Sequence, residues 1–137
     1  MNNLKSRTTM IVMKQDMLCV RKSSTGCTYN IQYDEVAYIS IDRYLLKYHT
    51  VTHGDFYVAS GTLDKCCSLL PDFFCRLNRN LVVNMNFVRT LSFRERYVVL
   101  TGIPTPFNIS ASGARIAKLF LVGEKLANRR FLTYEQV

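Results

Sequence analysis

The sequence predicts a mainly β domain carrying two short helices. Most of its 137 residues fall in short runs rich in β-branched and aromatic side chains, separated by turn clusters. Only two segments show the helical spacing of apolar residues. A hydrophobic share of 48% against 20% charged residues is that of a globular chain with a core, not of a disordered one. No repeat, low-complexity tract or Pro/Gly/Ser-rich linker divides it.

In chain order, Met17 to Arg21 and Cys27 to Gln32 read as paired strands around the turn cluster Lys22 to Gly26. Val36 to Ile41 carries no charge and is expected to be half to fully buried. Leu45 to Thr52 and Phe56 to Ala59 flank His53-Gly54-Asp55, a hairpin turn by composition. Leu63, Cys66, Cys67 and Leu70 share one helical face, in a helix that Pro71 stops. Leu81 to Asn84, Phe87 to Leu91 and Tyr97 to Thr101 are further strands. Ser110 can cap a second helix with Ile116, Leu119 and Phe120 on one face, weakened at Gly123.

The composition excludes several function classes. The five cysteines form no CxxC pair, Met1 to Thr9 lacks the apolar core of a signal peptide, and no apolar run is long enough to span a bilayer. A cytoplasmic chain with free thiols, away from any membrane, is the expectation. The two histidines, His49 and His53, stand beside no nucleophile motif and no spaced metal ligands, and Cys66-Cys67 falls on an apolar helix face. No glycine-rich phosphate loop is present. Neither catalysis, nor a metal, nor a cofactor is expected.

The formal net charge of +8 and pI near 9.4 favour polyanionic partners. Arg76, Arg79, Arg89, Arg94 and Arg96 stand against Glu95 alone within their block. Arg115, Lys118, Lys125, Arg129 and Arg130 stand against Glu124 in a second block. Arginine dominates the first block, and its planar fork suits guanine edges and phosphates. A plain solvated basic surface is the competing reading, above all for Lys125, Arg129 and Arg130.

The order of features then becomes specific. Val36-Ala37-Tyr38-Ile39-Ser40 and Arg43 to Thr50 come first, followed by Gly61-Thr62-Leu63 and Leu70-Pro71. Phe74-Cys75-Arg76-Leu77-Asn78-Arg79-Asn80-Leu81-Val82-Val83-Asn84 follows, and Ile109-Ser110 precedes the second helix. This order and spacing resembles the LytTR DNA-binding domain over roughly Met17 to Leu121. Asn78 stands where the family usually has His, and Asn80 where it usually has Ser. Ala111-Ser112-Gly113-Ala114 delays to Arg115 a basic residue that the family often places earlier.

The resemblance implies an elongated stack of small β-sheets with two short helices, whose loops enter successive DNA grooves. Residues 1–16 then form an N-terminal extension, 17–121 the DNA-binding domain and 122–137 a helical or frayed tail. The reading loops map onto Arg43-Tyr44, Asn78-Arg79-Asn80 and Ser110 to Arg115. Tyr44, Arg79 and Ser112 occupy base-reading positions. Arg43, Asn78, Asn80, Arg94, Ser110 and Arg115 are expected to support binding, with Asn80, Arg94 and Ser110 on phosphates. For Tyr44 the competing reading is a strand aromatic packed on the core.

The expected function is that of a bacterial transcription regulator binding double-stranded DNA, with paired direct repeats occupied by a homodimer that forms on the DNA. The family's usual receiver or membrane segment has no counterpart in the sequence, which leaves a stand-alone regulator or control by a separate regulatory partner. The alternative is an interaction module without DNA binding that pairs with and titrates a related regulator. Co-purification of such a partner without DNA would distinguish the two.

Overall fold

The computed structural model of the protein describes residues 10–12, 17–22, 25–58 and 62–127. It is mainly β, as the sequence predicts. The chain forms two compact units, Met1–Asp72 and Phe73–Val137.

In the first unit, β1 (Met10–Val12), β2 (Met17–Lys22) and β3 (Cys27–Gln32) form an antiparallel sheet. The turn between β2 and β3 closes through the Gly26 N–H donating to the Lys22 carbonyl at 2.8 Å, with Gly26 at a φ of 74°. A short 3₁₀ turn, Tyr33–Glu35, leads into β4 (Val36–Asp42), which pairs with β5 (Leu45–Thr50), and β5 with β6 (Gly54–Val58). Val36, Ala37 and Ile39 are fully buried, as the uncharged run predicts.

The β5–β6 hairpin turn sits earlier than its composition suggests. β5 stops at Thr50, Val51–His53 make the turn, and Gly54, at a φ of 76°, already pairs with Thr50. Buried Thr50 explains the shift. Its hydroxyl accepts the His53 N–H at 3.0 Å and donates to the Gly54 carbonyl at 2.9 Å, which pins the turn. His49 and His53 therefore share no strand face. His49 Nδ1 lies 2.5 Å from Asp55 Oδ1 and its ring stacks on Tyr38, whereas His53 stands against Tyr29.

α1 (Leu63–Cys67) opens on Thr62, whose hydroxyl accepts the Lys65 N–H at 3.2 Å. It buries Leu63 and Cys66 and ends before Pro71. The Cys66 thiol lies 3.3 Å from the Tyr48 hydroxyl, and burial together with that neighbour pushes the Tyr48 phenol upward.

In the second unit, β7 (Phe74–Asn78) pairs with β8 (Leu81–Asn84). A 3₁₀ turn, Met85–Phe87, leads to β9 (Val88–Ser92), β10 (Tyr97–Leu100) and β11 (Ile103–Asn108), an antiparallel sheet with β10 in the middle. No strand is predicted from the sequence for β11, which carries Pro104 and Pro106. Both are tolerated because β11 is an edge strand, where a missing N–H interrupts no second ladder. Edge prolines also discourage pairing with other chains.

α2 (Ala111–Ala127) runs through Gly123 without a break. Its inward face differs from the one expected from Ile116, Leu119 and Phe120. Gly113, Ala117 and Leu121 are buried, one turn apart, while Leu119 is 74% exposed. Gly113 starts this face because α2 there approaches β7 too closely for any side chain: a Cβ on Gly113 would lie 1.9 Å from the Leu77 carbonyl oxygen. Among the described residues, no helix is long and apolar enough to cross a membrane.

Candidate nucleic-acid interface

The β7–β8 hairpin carries the Arg79-Asn80 turn, and its side chains hold the turn from within. Asn78 Oδ1 accepts the Asn80 N–H at 2.8 Å, closing an Asx turn. Asn78 Nδ2 donates to the Asn108 carbonyl at 2.7 Å, tying the turn to the end of β11. Arg76 Nε donates to the Asn78 carbonyl at 3.1 Å, and its Nη2 to the Arg79 carbonyl at 2.7 Å. Arg79 itself is exposed, with no ion pair or side-chain hydrogen bond among the described residues.

The α2 N-terminus is fastened to the same hairpin. The Ser110 N–H donates to the Leu77 carbonyl at 2.9 Å, and the Ser110 hydroxyl lies 3.3 Å from that oxygen. Ser110 also accepts the Gly113 N–H at 3.0 Å, which makes it the helix cap that the sequence predicts. The hydroxyls of Ser110 and Ser112 are 3.2 Å apart.

Between these pieces lies an open groove of about 610 Å³. Arg76, Asn78, Arg79 and Asn80 line one part of it, and Asn108, Ile109, Ser110, Ser112 and Ile116 the rest. Five sequence-predicted site residues, Asn78, Arg79, Asn80, Ser110 and Ser112, thus meet on one groove.

Arg94 and Arg115 belong to the same unit but do not line the groove. Arg94 is exposed in the β9–β10 turn, which is closed by the Glu95 N–H donating to Ser92 Oγ at 3.0 Å. Lys118 Nζ stands 5.0 Å over the Phe93 ring, so the turn and α2 are in contact. Arg115 is exposed on α2.

Arg43 and Tyr44 lie in the first unit, as the two-residue turn joining β4 to β5. Tyr44 is 93% exposed, which removes the reading of a core aromatic. Arg43 has a φ of 62°, a left-handed conformation that glycine or asparagine usually supplies. Backbone strain of this kind gathers at functional positions, where surrounding structure holds it in place.

Sequence reading missed Arg76, Asn108, Gly113 and Ile116 as site-forming residues. Arg76 was visible inside the Phe74 to Asn84 motif, and its partners are backbone carbonyls that no sequence pattern marks. Gly113 is legible only through its approach to Leu77.

A basic chain that presents arginine, asparagine and serine side chains from sheet-anchored turns has the equipment of a nucleic-acid-binding domain. The model of the LytTr DNA-binding domain matches residues 26–121, and the chain belongs to that family, whose class is DNA binding in transcription regulation. Among solved structures, the chain is similar to a LytTr DNA-binding domain from Bacillus cereus. The two share 17% identity and a TM-score of 0.63, over 79% of this chain and 95% of that one. No curated protein matches the chain.

Proposed function

We propose that the protein binds double-stranded DNA sequence-specifically and regulates transcription by placing sheet-anchored turns in successive grooves. The observation that carries this reading is the groove on which Arg79, Asn80, Ser110 and Ser112 converge. Arg79 is the major-groove base reader, since an unpartnered guanidinium on a fixed turn can make the bidentate contact to guanine. Tyr44 and Ser112 read bases from the other two loops. Asn80, Ser110 and Arg94 hold phosphates, which sets register without carrying sequence information, and Arg43 and Arg115 each add positive charge from their own element. Two copies occupy paired direct repeats.

The test is selection from random duplex DNA at near-physiological salt, with Arg79→Ala run in parallel. Enrichment of a short repeated motif by the unaltered protein, with preference lost at one base pair in the variant, is the expected result. Salt-sensitive retention without enrichment would reduce the groove to a generic basic surface.

A further inference from the structure

The Arg79 turn is held in place by side chains that a count of basic and amide residues would assign to DNA. Arg76 is half-buried and turned inward, donating to two successive turn carbonyls, those of Asn78 and Arg79. Asn78 uses one end of its amide on the Asn80 N–H and the other on the Asn108 carbonyl. An amide reads adenine by presenting its oxygen and its N–H together, and in Asn78 each is engaged by the protein.

We propose that Arg76 and Asn78 are positioning residues for Arg79, which set where its guanidinium meets the DNA without reading a base themselves. The inference rests on the reading of Arg79 as a base contact and adds the device that makes that contact selective.

The device has two parts. Arg76 bridges the carbonyls of the two peptides that flank the Arg79 Cα, so the residue that launches the reading side chain is fixed on both sides. Arginine suits this because its rigid planar fork places two donors at a set separation, whereas lysine offers a single rotating ammonium. Asn78 then ties the turn to Asn108, two residues before Ser110, whose own N–H is bound to the Leu77 carbonyl. Arg79 and the Ser110–Ser112 segment are thereby held in one frame. Ordering the turn before binding removes an entropic cost from the bound state, and it penalises DNA on which the guanidinium and serines cannot both fit.

Two conservative variants separate positioning from contact. Arg76→Lys keeps the charge and loses the paired donors. Asn78→Ser keeps an acceptor for the Asn80 N–H and loses the reach to Asn108. Each is compared with Arg79→Ala by binding to the selected site and to every single-base variant of it, over a range of salt concentrations. Both should weaken preference at the base pair that Arg79→Ala affects, within the roughly 5- to 150-fold discrimination of one bidentate contact. The salt slope should stay unchanged. Combined with Arg79→Ala, neither should cost further preference there, the non-additivity expected of residues acting through one contact.

Loss of preference at a different base pair in either variant would show direct DNA contact and overturn the proposal. Unchanged preference in both variants would overturn it too. Failure of the underlying reading looks different, because Arg79→Ala itself would then leave every preference intact. Backbone NMR order parameters of the free protein test the device without DNA. They should fall at residues 78–80 in both variants while the remaining β resonances hold, and a turn that stays rigid in both would sink the proposal.

Discussion

The Cβ that Gly113 lacks would lie 1.9 Å from the carbonyl oxygen of Leu77. That oxygen already accepts the Ser110 N–H at 2.9 Å. One backbone carbonyl of β7 therefore receives the start of α2, and glycine is the residue that lets the helix come so near. The same approach places Ser110 and Ser112 on the groove beside Arg79.

Two helical glycines should respond to alanine with opposite signs. Gly113→Ala must push α2 from β7 and should destabilise the protein by about 1–3 kcal/mol or more, outweighing the gain in helix propensity. At Gly123 a Cβ meets nothing within 4 Å. Gly123→Ala should therefore stabilise by about 0.5–1 kcal/mol. Urea unfolding of both variants measures the difference, and equal signs would contradict the packing described.

Removal of the Ser110 hydroxyl takes away the α2 cap. Ser110→Ala should cost about 1 kcal/mol of stability in the free protein. It should also weaken DNA binding evenly across sequences, as a lost phosphate contact does. Denaturation midpoints and affinities for several operators, measured on one preparation, separate the two effects.

Arg79→Ala should leave stability nearly unchanged, because the side chain is exposed and Arg76 binds only the Arg79 backbone. Binding should fall by about 1–3 kcal/mol, with preference relaxed at one base pair. Uniform weakening on all sequences would make Arg79 a phosphate clamp.

Tyr44 offers the clearest separation of folding from function. At 93% exposure its ring contributes almost nothing to the core, so Tyr44→Ala should unfold within about 0.5 kcal/mol of the unaltered protein. DNA affinity should nevertheless drop measurably in a titration by fluorescence anisotropy. Undiminished affinity would remove the Arg43-Tyr44 turn from the interface.

Salt dependence tests the electrostatic half of the function. With about five phosphates neutralised per domain, the log–log slope of affinity against salt should lie near −4 to −5. Arg94→Ala should make it shallower by about 0.9. A slope near zero would reject the account.

The sequence by itself determined what depends on neighbouring residues. Alternation and turn chemistry predicted the Met17–Lys22 and Cys27–Gln32 hairpin and the buried run at Val36. Capping preference predicted Ser110 at the start of α2, and the spaced motif around Arg79 carried the family. Short-range rules suffice there because a turn, a cap or a strand face is set by residues a few positions apart. Tertiary structure alone decided which carbonyl each side chain meets. Asn78 and Asn108 are 30 residues apart, and Ser110 and Leu77 are 33. Pro104 and Pro106 are permitted only because β11 lies at a sheet edge, and the glycine that starts the buried face of α2 is required by how near β7 stands. Backbone proximity is a property of the packed chain, and it turned Gly113 from a weak helix residue into the one that seats the serines beside Arg79.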